Sequence, residues 1–344
     1  MGTQSVVDTI IIPPAAPDIP GLRFRGFRGE VDYPNMLAVI NASKSADQIE
    51  RSDTLEAIAN NYAHLTNSDP YQDMIFAEVY GEVVGYGRVE WHLNDEGQWI
   101  GFHFAFLHPA WRRMGIGTAM LRYQEQRLRQ IADRLLAEGV ITADMPRLFE
   151  TFASDTEIGR EALLQKEGYG GVRFEHLMSR PLSEPIEITP IREGLEVRQV
   201  SPEQVRAVWE AANEAFRDHW GYIEPSEEEY QRFLEDPITD PSLWMVAWDG
   251  DQVAGSVQNF LDRNENEEYQ RKRGYTEGIS VRRPYRKLGL ATALLTRSLQ
   301  MFKDMEMEEA ALGVDSQNLS GAFRVYERVG FRVYKCQTIY RKPL

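Results

Sequence analysis

The sequence predicts an α/β fold, an α+β sandwich in which helices flank a mixed sheet, and it predicts that this fold occurs twice along the chain. Three observations support the prediction. Segments recur in the same order about 170 residues apart, strand-like and helix-like segments alternate within each copy, and a stretch rich in Pro and Glu separates the copies. The chain has 344 residues, 42% of them hydrophobic, which is enough for two domains with cores of their own.

Four pairs of similar segments carry the repeat, and such a repeat is sought before any element is assigned. The pairs are "GLRFR" (21–25) with "GLEVR" (194–198), "FAEVYGEVVGYG" (from Phe76) with "VAWDGDQVAGSV" (from Val246), "HPAWRRMGIGTAML" (108–121) with "RRPYRKLGLATALL" (282–295), and "LLQKEGY" (ending at Tyr169) with "VYERVGF" (ending at Phe331). They predict a Pro-rich extended leader (1–20), an N-terminal domain (21–180), a linker (181–193) and a C-terminal domain (194–344).

Each copy reads in order as a strand, a helical region, several strands, a long helix, a strand, a short helix and closing strands. In the second copy, "EAALGVD" predicts a buried strand and "LSGAFRVYERVG" a helix that ends at Gly330. The long helix follows Gly289, because apolar residues then recur at helical spacing as Leu290, Leu294, Leu295, Leu299 and Phe302.

The composition excludes several functions. The net charge of −15 disfavours an extended nucleic-acid surface, which needs clustered cations. The single cysteine, Cys336, excludes an internal disulfide and a Cys-based zinc cage, and the His and carboxylate spacing predicts no metal site. We find neither a signal peptide nor an apolar stretch long enough for a membrane span. We expect a cytoplasmic monomer or homodimer that binds neither nucleic acid nor membrane.

The stretch "RKLGLA" turns at Gly289 and opens a helix. The unpaired N–H groups and the dipole of a helix N-terminus can bind an anion, and Arg286 and Lys287 can add charge. Cations before a helix are as often merely solvated, so the stretch alone leaves both readings open. Spacing excludes a Walker loop and a dinucleotide fingerprint, because no GKS or GKT and no third glycine follow.

"RKLGLA" and the equivalent "RRMGIG" (Arg112 to Gly117) both resemble the R/QxxGxG/A pyrophosphate loop of the GNAT superfamily of acetyl-coenzyme A (acetyl-CoA) dependent N-acetyltransferases. "NLSGAFRVYERVGF" resembles the second segment of that family. The resemblance implies two tandem domains with mixed, mostly antiparallel sheets, acetyl-CoA as the co-substrate, no metal, and catalysis in the C-terminal copy. It assigns donor binding to Ile279, Val281, Arg286, Lys287, Leu288, Gly289, Leu290, Ala291, Thr292 and Asn318, and, in the first copy, to Arg112, Arg113, Gly115, Gly117 and Thr118.

Two residues of the second copy are candidate catalysts. In "YTEGISV", strand alternation puts Glu277 on one face with Tyr275, Ile279 and Val281, where burial would raise its pKa and suit it as a general base. The alternatives are a solvent-facing Glu at a sheet edge, or a bulge that changes the facing. Tyr326 occupies the position of the family's general acid. Its alternative is ordinary core, in a stripe with Ala322, Val325 and Val329.

The first copy lacks part of this set. Aligned with the second copy, it has Leu164 in place of Tyr326, His103 in place of Glu277 and Thr156 in place of Asn318. His103 could accept a proton, but Leu164 has none to give. We therefore expect the first copy to be non-catalytic.

The acceptor is expected to be a small-molecule primary amine. The family places it near the helical region after the first strand, where Asp218, Trp220 and Tyr222 combine a charge with flat apolar surface. The glutamates that follow are explained as a helix start with Ser226 and Glu229 as its capping box. Alternative functions are a non-catalytic acetyl-CoA-binding or CoA-binding or sensing protein and, less consistent with the acidic charge, a transferase that uses an aminoacyl-RNA donor.

Overall fold

The computed structural model describes residues 9–318 and 321–344, and they form two compact units. Unit 1 comprises the described residues up to Val172 together with Ser226–Arg232 and Ile339–Leu344. Unit 2 comprises Arg173–Pro225 and Phe233–Thr338. The eight N-terminal residues of the expected leader and residues 319–320 of the expected short helix lie outside the described residues.

Unit 1 holds the first copy of the repeat. Its sheet runs in the order β1-β2-β3-β4-β5-β6, in which β5 and β6 are parallel and the other neighbours antiparallel. The elements are β1 (Ile10–Ile11), β2 (Leu22–Arg25), α1 (Tyr33–Asp47), α2 (Leu55–Ala63), α3 (Pro70–Asp73), β3 (Met74–Val79), β4 (Glu82–Leu93), β5 (Trp99–Leu107), α4 (Ile116–Ala137), β6 (Arg147–Ser154), α5 (Ile158–Lys166) and β7 (Gly170–Pro181), which continues into unit 2.

Unit 2 holds the second copy. Its sheet runs in the order β7-β12-β11-β10-β9-β8, in which β11 and β12 are parallel and the other neighbours antiparallel. The elements are β8 (Glu196–Arg198), α6 (Val205–Phe216), α7 (Glu227–Glu235), β9 (Met245–Asp249), β10 (Gln252–Phe260), α8 (Arg263–Glu268), β11 (Arg273–Val281), α9 (Leu290–Asp304), β12 (Glu309–Asp315), α10 (Ala322–Arg328) and β13 (Arg332–Pro343). The start of α7, up to Arg232, and the end of β13, from Ile339, belong to unit 1.

Both units have the mixed, mostly antiparallel sheet and flanking helices that the sequence predicted. The predicted long helix of the second copy is α9, and its five apolar stripe residues are all buried. "EAALGVD" forms β12 over its full length. Two elements were not predicted. Strand β1 lies in the leader and pairs with β2 although prolines follow it, and α8 lies between β10 and β11.

Strand β11 contains a β-bulge. Ser256 of β10 pairs with Ser280 and Gln258 pairs with Glu277, so two β11 residues oppose one residue of β10. Gly278, within the bulge, has φ 54°, a conformation that glycine adopts without strain. In unit 1, the pairing of β4 with β5 is regular throughout. The bulge therefore distinguishes the second copy from the first.

Candidate active site

A cavity of about 760 Å³ lies in unit 2 between the ends of α6, β11, α9 and α10. It brings together most of the residues that the sequence singled out. Those that line it are Asp218, Ile279, Val281, Arg286, Lys287, Gly289, Leu290, Ala291, Thr292, Asn318 and Tyr326. Leu288, Trp220, Tyr222 and Glu277 are not among the lining residues, and Leu288 is exposed.

The turn before α9 is shaped to present backbone to the cavity. Lys287 has φ 61° and Gly289 φ 78°, so the chain reverses sharply before α9 begins at Leu290. A Cβ built on Gly289 would meet no atom within 4 Å, which leaves open space beside the turn. The first N–H groups of α9 have no partner within the helix. The geometry fits a phosphate at this helix N-terminus.

Arg286 has a structural role that its sequence position did not reveal. Its Nε donates to the carbonyl of Val281 at 2.9 Å, and one terminal nitrogen donates to the carbonyl of Ala215 at 2.9 Å. The other terminal nitrogen binds the carboxylate of Asp218 at 2.5 Å. These bonds tie the loop to the last residues of α6.

Asp218, a candidate for acceptor binding, is held within this loop. Its carboxylate binds both Arg286 and Arg283. Hydrogen bonds from these two guanidinium groups hold the pKa of Asp218 well below its usual range, so it stays ionised. Asp218 therefore binds two arginines of the loop that precedes α9, which the sequence predicts to bind the donor and which we call the donor loop.

Glu277 lies where β11 and β12 separate. The parallel pairing of these strands ends at Tyr275 and Ala311, and two residues farther along, the Glu277 carboxylate accepts the N–H of Gly313 at 2.8 Å. The side chain thus occupies the gap between the strands and replaces a missing main-chain partner. Glu277 is partly buried there, in a place that a solvent-facing edge residue would not occupy.

Burial raises the pKa of Glu277 to about 7, against the opposing effect of the Gly313 hydrogen bond and with a smaller contribution from the nearby charge of Glu175. A carboxyl group with this pKa is ionised in about half of the molecules at neutral pH. It can therefore accept a proton and release it again near pH 7, as general-base catalysis requires.

The expected facing of Glu277 is wrong in one respect. Glu277 and Ser280 pair with Gln258 and Ser256, which lie on one face of β10, so Glu277 and Ser280 share a face. Val281 falls on the other face, and both Val281 and Ile279 pack with Leu290 of α9. The bulge at Gly278 shifts the alternation by one residue and separates Glu277 from Val281, whereas Tyr275, which lies before the bulge, keeps the face of Glu277.

Tyr326 of α10 is a core residue that also lines the cavity. It is 6% exposed and packs with Phe331 and Leu312. Burial raises the pKa of its hydroxyl, and the negative charge of Glu277 raises it further. The hydroxyl therefore keeps its proton throughout the neutral range. The core and general-acid readings of this residue are compatible in this geometry.

The other acceptor candidates lie on the segment that follows Asp218. The Trp220 ring lies beneath the guanidinium of Arg173, whose carbon is 5.1 Å from the ring centroid, and the Tyr222 hydroxyl donates to Glu224 at 3.0 Å. Farther along, the backbone N–H of Ser226 donates to Glu229 at 2.7 Å and that of Glu229 to the Ser226 hydroxyl at 3.2 Å. This is the expected capping box, which accounts for part of the acidic run.

Unit 1 has a cavity of about 620 Å³ at the equivalent loop, and Arg112, Arg113, Gly115, Gly117 and Thr118 all line it. Arg112 repeats the contacts of Arg286: it donates to the carbonyl of Leu107 at 3.1 Å and binds both carboxylate oxygens of Asp47 at 2.6 and 2.8 Å. The pairs Asp47 with Arg112 and Asp218 with Arg286 thus recur with the repeat. Sequence reasoning missed both aspartates as partners of the loop, although their repeat spacing was a usable signal.

The chemistry of the unit 1 cavity differs. Leu164 lines it where unit 2 has Tyr326. His103 is buried, its Nε2 lies 2.8 Å from the Tyr169 hydroxyl, and burial lowers its pKa to about 3. A histidine with so low a pKa is a poor base at neutral pH. The strand register also aligns Glu277 with Phe104 instead of His103, because the bulge adds one residue to β11.

Within residues 9–318 and 321–344, no helix is long and apolar enough to cross a membrane. In the same part of the chain, no group of three or more His, Cys, Asp or Glu side chains is arranged to hold a metal ion.

Relatives of the chain carry one recurring name. A protein named mycothiol acetyltransferase from Salinispora arenicola is 25% identical over 318 residues, which cover 91% of this chain and 94% of that protein. Another of that name, from Streptomyces scabiei, is 31% identical over 269 residues, or 78% of this chain and 79% of the relative. Both relatives bear the name of an acetyltransferase, in agreement with the resemblance of the two glycine loops to the GNAT superfamily.

Solved structures of N-acetyltransferases also match this chain. A GCN5-related N-acetyltransferase from Sphaerobacter thermophilus matches with a TM-score of 0.68 and 25% identity over 95% of this chain and 96% of that one. A tandem GNAT protein from the clavulanic acid biosynthesis pathway, at 15% identity, shares the fold with a TM-score of 0.64 over 94% and 98%. The model of the acetyltransferase (GNAT) family matches residues 37–145 and 206–331, more than half of the chain and parts of both repeats. The chain therefore belongs to the GNAT family of acetyltransferases.

Proposed function

We propose that the protein transfers the acetyl group of acetyl-CoA to a primary amine of a small molecule by direct attack of the amine on the thioester, and that unit 2 is the catalytic unit. The observation that carries the proposal is the proximity of Glu277 to Tyr326: Tyr326 lines the cavity, and the charge of Glu277 acts on its hydroxyl. One group can accept a proton near pH 7 and the other retains its proton. The glycine turn lies on the same cavity.

The chain's own groups fit the donor. The turn at Gly289 and the N-terminus of α9 would bind its phosphates, and Lys287 adds a cation at the cavity wall. Ile279 and Val281 line the cavity, and backbone N–H groups in this part of β11 would stabilise negative charge on the carbonyl oxygen. When bound, acetyl-CoA supplies the activated acetyl group.

The proton balance follows from the two side chains. An alkylamine has a pKa near ~10.4 and arrives mostly as an ammonium ion, so Glu277 takes a proton from it, directly or through water. The C–N bond forms and the C–S bond breaks. Tyr326 gives its proton to the departing thiolate, whose conjugate acid has a pKa near ~8.5, and solvent then carries the proton of Glu277 back to Tyr326. The nitrogen loses a second proton to solvent as the amide forms, so each turnover releases one proton.

The acceptor is proposed as an amine that carries positive charge on arrival. Glu175, on β7, places negative charge near Glu277, whereas its register partner Asp315, at the end of β12, is paired with Arg173. Trp220, Tyr222 and Asp218 remain candidates for acceptor contacts. Because several relatives are named mycothiol acetyltransferase, a mycothiol-related amine is the first acceptor to test.

The test is to incubate the protein with acetyl-CoA and a panel of primary amines, and to measure free thiol release together with the acetylated product by mass spectrometry. The proposal predicts equal amounts of thiol and N-acetyl product for at least one amine. Thiol release that no amine stimulates, or an acetylated hydroxyl or thiol in place of the amine, would contradict it.

A further inference from the structure

The donor loop of unit 2 carries one more arginine than the loop of unit 1. Arg283 opens the short 3₁₀ turn before Arg286, and the equivalent residue of unit 1 is Pro109. In unit 1, one carboxylate, Asp47, binds one guanidinium, Arg112, through two bonds. In unit 2, the single carboxylate of Asp218 binds two guanidinium groups.

This difference leaves unit 2 with an uncompensated positive charge at its loop. The other donors of Arg286 go to the carbonyls of Val281 and Ala215, which carry no net charge. Two further charges act on Arg283 in opposite directions, namely Glu214 and Arg217. Each is already paired, Glu214 with Arg282 and Arg217 with Glu224. One excess cation therefore remains.

Arg283 is also the more exposed of the two arginines that bind Asp218. Its side chain is 70% exposed, whereas that of Arg286 is 31% exposed and has three different partners. If Arg283 turned toward an anion, Asp218 would still bind Arg286, and the loop would keep the arrangement that Asp47 and Arg112 have in unit 1. Recruiting Arg283 therefore costs little of the loop's own structure.

We propose that Arg283 is an additional binding residue for a phosphate of the donor, held on Asp218 until the donor arrives. The proposal rests on the proposed function, because it takes a coenzyme A thioester as the donor. Arg283 does not itself line the cavity, but it shares Asp218 with Arg286, and both of these residues do. Its exposed guanidinium would add a charge-assisted hydrogen bond to those from the backbone. It would give unit 2 an affinity for the donor that unit 1, with Pro109 at this position, lacks.

The experiment is a calorimetric titration of coenzyme A into the full chain and into the variants Arg283→Gln, Arg283→Lys and Arg282→Gln. Arg282→Gln is the matched control, because it removes the same charge one residue earlier from a side chain that binds Glu214. We expect Arg283→Gln to weaken the unit 2 site about three- to tenfold, as loss of one partly exposed charged hydrogen bond would. Arg283→Lys should recover part of the loss, and Arg282→Gln should bind as the unmodified protein does.

Titration with dephospho-coenzyme A, which lacks the 3′-phosphate, identifies the phosphate concerned. If the loss in Arg283→Gln disappears with this ligand, Arg283 binds the 3′-phosphate; if the loss persists, it binds the pyrophosphate. Either result supports the proposal. Equal affinities of Arg283→Gln and Arg282→Gln for coenzyme A would overturn it. The proposed function fails separately, if the unmodified protein binds no coenzyme A at all.

Discussion

Units 1 and 2 each have a loop of the same form, but the residues near the two loops differ. In both, a glycine turn opens a long helix, and an aspartate from the preceding helical region binds the first arginine of the loop. Where β11 and β12 separate, unit 2 has Glu277 and Gly313. In unit 1, the gap beyond the paired ends of β5 and β6 is flanked by Phe102 and Phe152, whose rings stack with centroids 6.0 Å apart. The loop is therefore present in both units, whereas the groups that we propose as catalytic are present only in unit 2.

The largest expected effect comes from removing the acid that unit 1 lacks. Tyr326→Phe should lower kcat about 100- to 1,000-fold, because the departing thiolate loses its proton donor. The measurement is steady-state thiol release. Tyr169→Phe is the matched control in unit 1, since it also removes one buried hydroxyl. It should lower the melting temperature and leave kcat unchanged, whereas equal losses of kcat in both variants would contradict a special role for Tyr326.

Removal of the base should have a comparable or smaller effect. Glu277→Gln should lower kcat/KM about 100-fold at pH 7, because an amide cannot accept the proton. In the unmodified protein, kcat/KM should rise with pH through an apparent pKa near 7, as Glu277 ionises. This step should be missing from the profile of the variant. An unchanged step would assign the titration to another group.

The bulge at Gly278 should affect kcat as well as stability. A Cβ at Gly278 would lie 2.9 Å from Oε1 of Gln258, whereas Gly250, with φ 58°, has open space around it. Gly278→Ala and Gly250→Ala should each lose about 1 kcal/mol of unfolding free energy through their positive φ. Only Gly278→Ala should also lower kcat, about tenfold, by displacing Glu277. Equal kcat values for the two variants would show that the bulge does not position the base.

A smaller effect concerns stability and pH. The pKa of Glu277 is raised in the folded state, so the folded state binds more protons than the unfolded state between about pH 4.5 and 7. Its contribution to stability therefore falls as pH rises through that window. The variant Glu277→Gln lacks this fall. Its unfolding free energy, relative to that of the unmodified protein, should therefore be higher at pH 8 than at pH 5 by up to about 3 kcal/mol. Denaturant unfolding at both pH values measures the difference, and a constant difference would contradict a raised pKa.

The features that could be predicted from the sequence are those that depend on residue spacing within one element. The stripe from Leu290 to Phe302 and the capping box of Ser226 and Glu229 depend on spacing within one element, and both have the predicted form. The bulge at Gly278 was considered but not placed, since its position depends on pairing with β10. Consequently the face of Val281 was wrong, and His103 was aligned with Glu277.

Contacts between distant segments were not predicted, although the repeat spacing of Asp47 and Asp218 offered a signal for one of them. The two arginines on Asp218 lie 65 and 68 residues away in the chain, and nothing in the local pattern connects them. The same holds for β7, which comes at the end of the first copy and pairs with β12 of the second, so that Glu175 lies near Glu277.

The central claim is that unit 2 performs acetyl transfer while unit 1 does not. The most direct test compares Ala291→Glu with Gly117→Glu, which occupy equivalent positions in the two loops and place an anion where the donor phosphates should lie. Thiol release with acetyl-CoA and the acceptor amine is measured for both. The account predicts that Ala291→Glu abolishes turnover and that Gly117→Glu retains it. Activity that survives Ala291→Glu but is lost in Gly117→Glu would contradict the account.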